Sequence, residues 1–193
     1  MAPLYQQLIT DSRFHQLLMA FDRDIAAACR ATGCLVCGGA LHSAQFPRKP
    51  RGLPAGLGDD FNFRFSFCCS LEECRKRATP SSMRFLGRKV YIAAVVTLIS
   101  AMENGATAAR RQLSDLLGVS RRTVQRWQGW WLSTFTAGSF WKLASAAFTP
   151  PVDAARIPAS LLDRFVGAAE ERLLALLRFL APITGGASSM RAF

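Results

Sequence analysis

Six cysteines are the first residues in this chain that could do chemistry. Cys34 and Cys37 form a C-x2-C pair and are followed by Gly38-Gly39. A second group, Cys68-Cys69 and Cys74, comes about thirty residues later, after a Phe-rich stretch. Four thiolates suit a closed, tetrahedral zinc site that stabilises a fold and leaves no position open for a substrate. The two glycines let the backbone wrap an ion and aim amides at sulfur. The expected ligands are Cys34, Cys37, Cys69 and Cys74, holding a structural Zn2+. In zinc ribbons a strand aromatic sits two residues before the ligand, and Phe67-x-Cys69 fits that spacing. Cys68, on the opposite face of the strand, is the alternative to Cys69. His42 is expected to be hydrogen-bonded or at the surface, and Cys29 to be a small core residue.

Metal-dependent catalysis finds little material. Zinc nucleobase deaminases need H-x-E and P-C-x-x-C, and His42-Ser-Ala has no Glu. H-E-x-x-H is absent, and the chain has 2 His in all. The expectation is a chain that is not an enzyme.

A second constellation is Gln112 to Trp127. Gly118 stands where the first helix of a helix-turn-helix must stop, and Ser120 can cap the second. Leu113, Leu116 and Leu117 form the inward face of the first helix, and Val124 and Trp127 that of the second. Arg121, Arg122, Gln125 and Arg126 are left outward, with Thr123 beside them. Arg suits a guanine edge and Gln an adenine, and the N-terminal half of a recognition helix meets bases in the major groove. Arg110 and Arg111 can grip the phosphate backbone. Two further basic elements are Arg48-Lys49 with Arg51, in a Pro-rich loop, and Arg75-Lys76-Arg77 after the last cysteine. The tryptophans Trp127, Trp130, Trp131 and Trp141 read as core, since Trp127 and Trp131 share a helical face.

The charge distribution agrees with a polyanion partner. The chain has 193 residues and a net charge of +11, with half its residues hydrophobic. Residues 43–91 and 105–142 carry essentially all of that charge, and Arg supplies 20 of the 24 basic residues. Met1–Thr10 lacks the basic start and apolar run of a secretory signal. The longest apolar stretch, about Val90–Met102, is far short of the ~20 residues of a bilayer span. A cytoplasmic, nucleoid-associated location without membrane contact is expected.

Several elements must position these groups. Asp11 or Ser12 caps a helix running to about Ala31, with Phe14, Leu17, Leu18, Phe21, Ile25 and Ala28 inward and Asp22 and Asp24 solvated. Residues 34–78 form a hairpin-rich zinc ribbon, in which Phe61, Phe63, Phe65 and Phe67 alternate along a strand and Leu41–Phe46 is its partner. Residues 79–148 form a helical domain. It contains a buried helix Tyr91–Glu103 stopped by Asn104-Gly105, the helix-turn-helix over 107–135, and Ser139–Ala147. Residues 149–184 carry one long amphipathic helix, Ala159–Leu180, and 185–193 a disordered tail. The fold class expected is mainly α with a small β zinc ribbon.

Cys34-x2-Cys37, Phe67-x-Cys69, Cys74, Arg75-Lys-Arg77 and Pro80-Ser-Ser-x-Arg-Phe85 together resemble the zinc ribbons at the front of some bacterial insertion-sequence transposases. The helix-turn-helix is similar to those that bind transposon ends. The resemblance covers residues 34–135. It implies double-stranded DNA as the partner, and a mobile-element accessory factor or a derived transcriptional regulator as the role. Such transposases continue into a ribonuclease-H-like domain with three metal-binding carboxylates on strands. Residues 136–193 hold only Asp153, Asp163, Glu170 and Glu171, and no strand pattern surrounds them. A transposase or other protein partner is therefore expected to supply any catalysis. The Leu-rich 159–180 segment can serve a homodimer or pack inside the monomer. An adaptor that docks proteins in a nucleoprotein complex is the alternative reading, and charge alone leaves RNA and single strands open.

Overall fold

The computed structural model describes residues 2–48, 50–54, 56–87, 89, 91–102 and 107–186. The fold is mainly α-helical with small antiparallel sheets. In chain order the helices are α1 (Ala2–Thr10), α2 (Ser12–Thr32), α3 (Ala93–Ala101), α4 (Thr107–Leu116), α5 (Arg121–Gly129), α6 (Ser139–Ala144), α7 (Ala159–Leu162) and α8 (Ala169–Leu180). The strands are β1 (Leu41–Ser43), β2 (Phe46–Pro47), β3 (Phe63–Arg64), β4 (Phe67–Cys69) and β5 (Arg77–Ala78). None of the described helices is long and apolar enough to cross a membrane. The described residues divide into two compact units. One, the four-cysteine unit, draws on Asp11–Ala93 and Arg178–Phe193, and the other, the helical unit, on Met1–Thr10 and Ala94–Leu177.

In the four-cysteine unit, Asp11 caps α2 by accepting from the Arg13 amide at 2.9 Å. The buried face of α2 is Phe14, His15, Leu18, Met19, Asp22 and Ala26. It is rotated from the expected stripe, and Leu17, Phe21 and Ile25 are half-buried while Ala28 is exposed. The reason is Asp22, which is buried and not solvated. Its carboxylate accepts from Ser82 Oγ (2.6 Å), the Met83 amide (2.6 Å) and Arg84 Nε (2.8 Å). A buried carboxylate needs such donors to offset its lost hydration. Arg84 in turn donates to the Phe61 and Phe63 carbonyls and lies 4.9 Å from the Phe85 ring centre. Burial pulls its pKa down against the opposing attraction of Asp22.

The Phe61–Phe67 stretch is not one strand with a wet face. A 3-10 turn ends at Phe61, β3 pairs with β2, and β4 lies between β1 and β5. Leu41–Phe46 is correspondingly split between two sheets. Arg64 and Ser66, on the supposed solvent face, are both buried. Arg64 reaches inward to donate to the carbonyls of Pro80 (2.7 Å) and Thr184 (2.9 Å). Burial lowers its pKa to about 10, partly offset by Asp22 and reinforced by Arg48 and Arg84.

The helical unit is built on aromatics. The chain continues from α5 into a π-helical segment, Trp130–Phe135, whose wider turn sets Trp131 and Phe135 inward. Trp131 has no exposed surface, and Trp127 and Trp141 are also buried, so this set is core. Ring contacts run Trp131–Phe135 (5.1 Å), Phe135–Trp141 (5.3 Å), Trp141–Phe148 (6.4 Å) and Phe148–Phe165 (6.5 Å). The expected single helix Ala159–Leu180 is two. The chain turns at Gly167 (φ 107°), and Glu171 accepts from the Ala168 amide at 2.8 Å, which starts α8 afresh. Val166 is 90% exposed in that break. An unanticipated α1 packs against α4. The stop at Asn104-Gly105 and positions 187–193 of the expected tail lie outside the described residues.

Candidate metal centre and nucleic-acid interface

The four-cysteine centre is assembled from two turns. After α2 the chain doubles back, with Cys34 N donating to Gly39 O at 2.9 Å and Gly38 N to Cys34 O at 2.7 Å. A Cβ on Gly39 would stand 3.0 Å from the Leu71 side chain and 3.1 Å from Cys69 Sγ, so glycine lets the second turn close on the first without either giving way. That second turn follows β4. Its register pairs Leu41 with Cys69 and His42 with Cys68, and strand alternation turns Phe67 and Cys69 to the buried face. Cys68 points the other way, with Sγ 3.4 Å from Arg75 O. Arg75 completes the turn at φ 44°, and its amide donates to Leu71 O at 3.0 Å.

The sulfurs of Cys34, Cys37, Cys69 and Cys74 all lie within 4.8 Å of one another, and Cys68 is outside this group. Cys34 and Cys74 Sγ are 3.7 Å apart and Cys37 and Cys69 Sγ 3.4 Å. Four sulfurs at about 2.3 Å from a central ion are about 3.8 Å from each other, whereas a disulfide needs about 2.05 Å. The spacing is compatible with a tetrahedral metal site and is not that of disulfides. All six cysteines are free thiols. The donor set fits a metal in a second respect. Backbone amides two residues on are aimed at each sulfur: Val36 at Cys34, Gly39 at Cys37, Leu71 at Cys69 and Lys76 at Cys74. With Cys37 adding a second amide, the Cys34 thiol is lowered to about 7. In the other three the amide also lowers the pKa, while neighbouring thiols and burial outweigh it. Behind the sulfurs Ala26, Leu41 and Phe67 form a small apolar cluster with Cys34 and Cys69, and Cys29 packs on its edge.

The second candidate lies in the helical unit. α4 ends in a reversal of specific geometry. Gly118 has φ 61°, its amide donates to Asp115 O at 3.2 Å, and the Val119 amide reaches Ser114 O at 2.8 Å. This is the two-bond helix stop that requires a left-handed residue followed by a buried apolar one, and Val119 is buried. Ser120 Oγ then accepts from the Thr123 amide at 3.3 Å and caps α5. Leu113, Val124 and Trp127 are buried. Leu116 is not among them. It is 56% exposed, and Ser114 is buried beside Leu113 instead.

Arg121, Arg122, Gln125 and Arg126 are all exposed along α5. Arg111, Arg121 and Gln125 share an open cleft of about 310 Å3 with Ser114 and Asp115. Thr123 is half-buried, and its hydroxyl contacts Ser120 Oγ at 3.0 Å and Arg126 at 3.3 Å. The expected basic residues of the four-cysteine unit are mostly engaged locally. Arg48 is half-buried, donating to Gly87 O and Lys89 O at 3.2 Å each, so it fastens its loop. Arg51 lies 5.9 Å from the Tyr91 ring centre, and its carbonyl accepts from Ile92 N. Arg75 pairs with Glu72 at 3.0 Å and Lys76 is exposed. Arg77 donates at 3.4 Å to Ala44 O and Ser66 Oγ. Lys49 and the side chain of Arg110 lie outside the described residues. Comparison with protein-family models, with curated proteins and with solved structures gives no match for this chain.

Proposed function

We propose that this chain is a double-stranded DNA-binding protein in which a four-cysteine zinc ribbon supports the fold and a helix-turn-helix reads the duplex. The observation that carries the reading is α5. It is capped by Ser120, anchored by Val124 and Trp127, and leaves Arg121, Arg122, Gln125 and Arg126 exposed along one short helix. These side chains would meet base edges in the major groove, with Arg111 on the adjacent phosphates. Zinc would serve folding and not chemistry, because four thiolates fill its coordination shell. The resemblance to insertion-sequence transposases suggests an accessory factor of a mobile element, or a regulator derived from one. Either role would work beside a separate transposase or other partner.

A binding selection from random duplexes at near-physiological salt tests this. A recovered motif that is lost on Arg121→Ala/Arg122→Ala/Arg126→Ala is the expected result, with single base contacts worth about 1–3 kcal/mol each. No enrichment would sink it. A second reading, a protein-docking adaptor, is favoured by Leu35, Val36 and Leu71, which stand exposed on the two cysteine turns. A stable co-purifying partner, with no duplex preference over heparin, would select it.

A further inference from the structure

One surface of the four-cysteine unit joins positive charge to aromatic rings. It is an open groove of about 550 Å3 beside α2, a size in the range of small-ligand sites. Arg23 and Arg30 line it from α2. Seven residues apart, they stand on one helical face about 10 Å from each other along the axis. Ala27 and Ala31 keep the wall between them low. Phe65, Phe67, Ser43 and Gln45 line the opposite side. Phe65 is braced edge-on by Phe63, with ring centres 5.0 Å apart at 87°, so its position is set without a ligand. Among the described residues no carboxylate lines the groove, and neither Arg23 nor Arg30 forms an ion pair.

An occupant must satisfy all of these groups together. An acidic peptide would pair with the arginines and leave the rings idle. An apolar ligand would leave the arginines unpaired. A nucleotide presents phosphate to guanidinium, a π-face to the half-buried Phe65 and a polar edge to the Gln45 amide and Ser43 hydroxyl. In a duplex that π-face is covered by neighbouring bases, so the fit is to an unpaired nucleotide. We infer that this groove binds an unpaired nucleotide of a single-stranded nucleic acid, independently of whether α5 reads a duplex.

Fluorescence anisotropy of a labelled oligothymidylate with the full, metal-loaded chain tests the inference. Ala27→Leu fills the groove at an exposed position without changing charge, and Gln45→Ala removes the polar edge, also at an exposed position. Ala27→Leu and Arg23→Ala/Arg30→Ala are each expected to weaken binding about tenfold or more. Gln45→Ala is expected to weaken it less. Arg121→Ala/Arg122→Ala/Arg126→Ala should leave it within about twofold, since no residue of α5 lines the groove. An oligouridylate that binds in place of, or as well as, oligothymidylate and is lost with the same variants supports the groove and assigns the sugar. Wild-type binding by folded Ala27→Leu and Gln45→Ala overturns the inference, whether or not the arginine variant is weakened, because attraction of charge alone would then suffice. Loss of the oligonucleotide with the α5 variant alone overturns it as well, and neither result bears on duplex selection.

Discussion

The four-cysteine unit and the helical unit both bury large aromatic rings, yet they keep them in place by different means. In the first, Phe67 sits in a cluster of a few residues whose other half is sulfur, and Phe85 is surrounded by the guanidinium groups of Arg48, Arg64 and Arg84. Its short strands give the cysteine turns only a small apolar cluster of their own, while Phe14, Leu18, Met19, Met83, Phe85 and Ile92 are buried elsewhere in the unit. In the second, Trp131, Phe135 and Trp141 pack on one another, and α3 adds Val95, Val96, Leu98 and Ile99 to the buried set. The contrast teaches that the cysteine turns and the Phe85 surroundings rest on sulfur and paired polar groups, whereas the aromatic chain of the helical unit rests on dispersion and hydrophobic burial alone.

Under the zinc-ribbon proposal, removing the metal is the strongest way to break that contrast. Structural zinc contributes on the order of 10 kcal/mol to small metal-dependent folds. Chelation, or Cys69→Ser, is therefore expected to abolish amide protection over residues 34–78 in hydrogen exchange, while residues 121–141 keep theirs. Cys68→Ser should do neither, because its sulfur is outside the cluster. Equal loss in both units would erase the distinction. The converse perturbation is Trp131→Ala, which leaves a large cavity in the helical unit. A cost of about 3–5 kcal/mol is expected in denaturant titration, with the spectrum of the cobalt-substituted chain unchanged. The smallest effect sharpens the comparison within the helical unit. Ser120→Ala removes the α5 cap and should cost about 1 kcal/mol. Under the duplex-binding proposal it should also weaken operator affinity without changing the sequence selected, which a repeat of the library selection would read.

Legibility in the sequence followed the range of the interactions. Gly118 and Ser120 act on neighbours within five residues, and their geometry is the one their types require. The preference for Cys69 over Cys68 rested on strand alternation from Phe67, and the register places Cys69 accordingly. What was not legible depended on partners far along the chain. Asp22 has the composition of a solvated helix position, and nothing nearby announces Ser82, Met83 and Arg84 sixty residues away. Arg64 looks like the outward residue of an alternating strand until the Pro80 and Thr184 carbonyls are in view. The division of Ala159–Leu180 was hidden because leucines recur on both sides of Gly167 and mimic one continuous stripe.

Thr184 carries a consequence for how the protein is made. Its hydroxyl accepts from Ser82 N at 2.7 Å, its carbonyl receives Arg64, and the Gly186 amide reaches Thr79 O. These bonds span about a hundred residues of sequence, and the helical unit is encoded almost entirely between their ends. On a ribosome that adds roughly 5–20 residues each second, Arg64 would wait several seconds for its acceptor. Most of the helical unit would be synthesised during that interval. A nascent chain stopped short of position 178 would therefore carry a buried guanidinium with half its carbonyl acceptors missing, a defect that quality-control proteases could recognise long before any ligand is met.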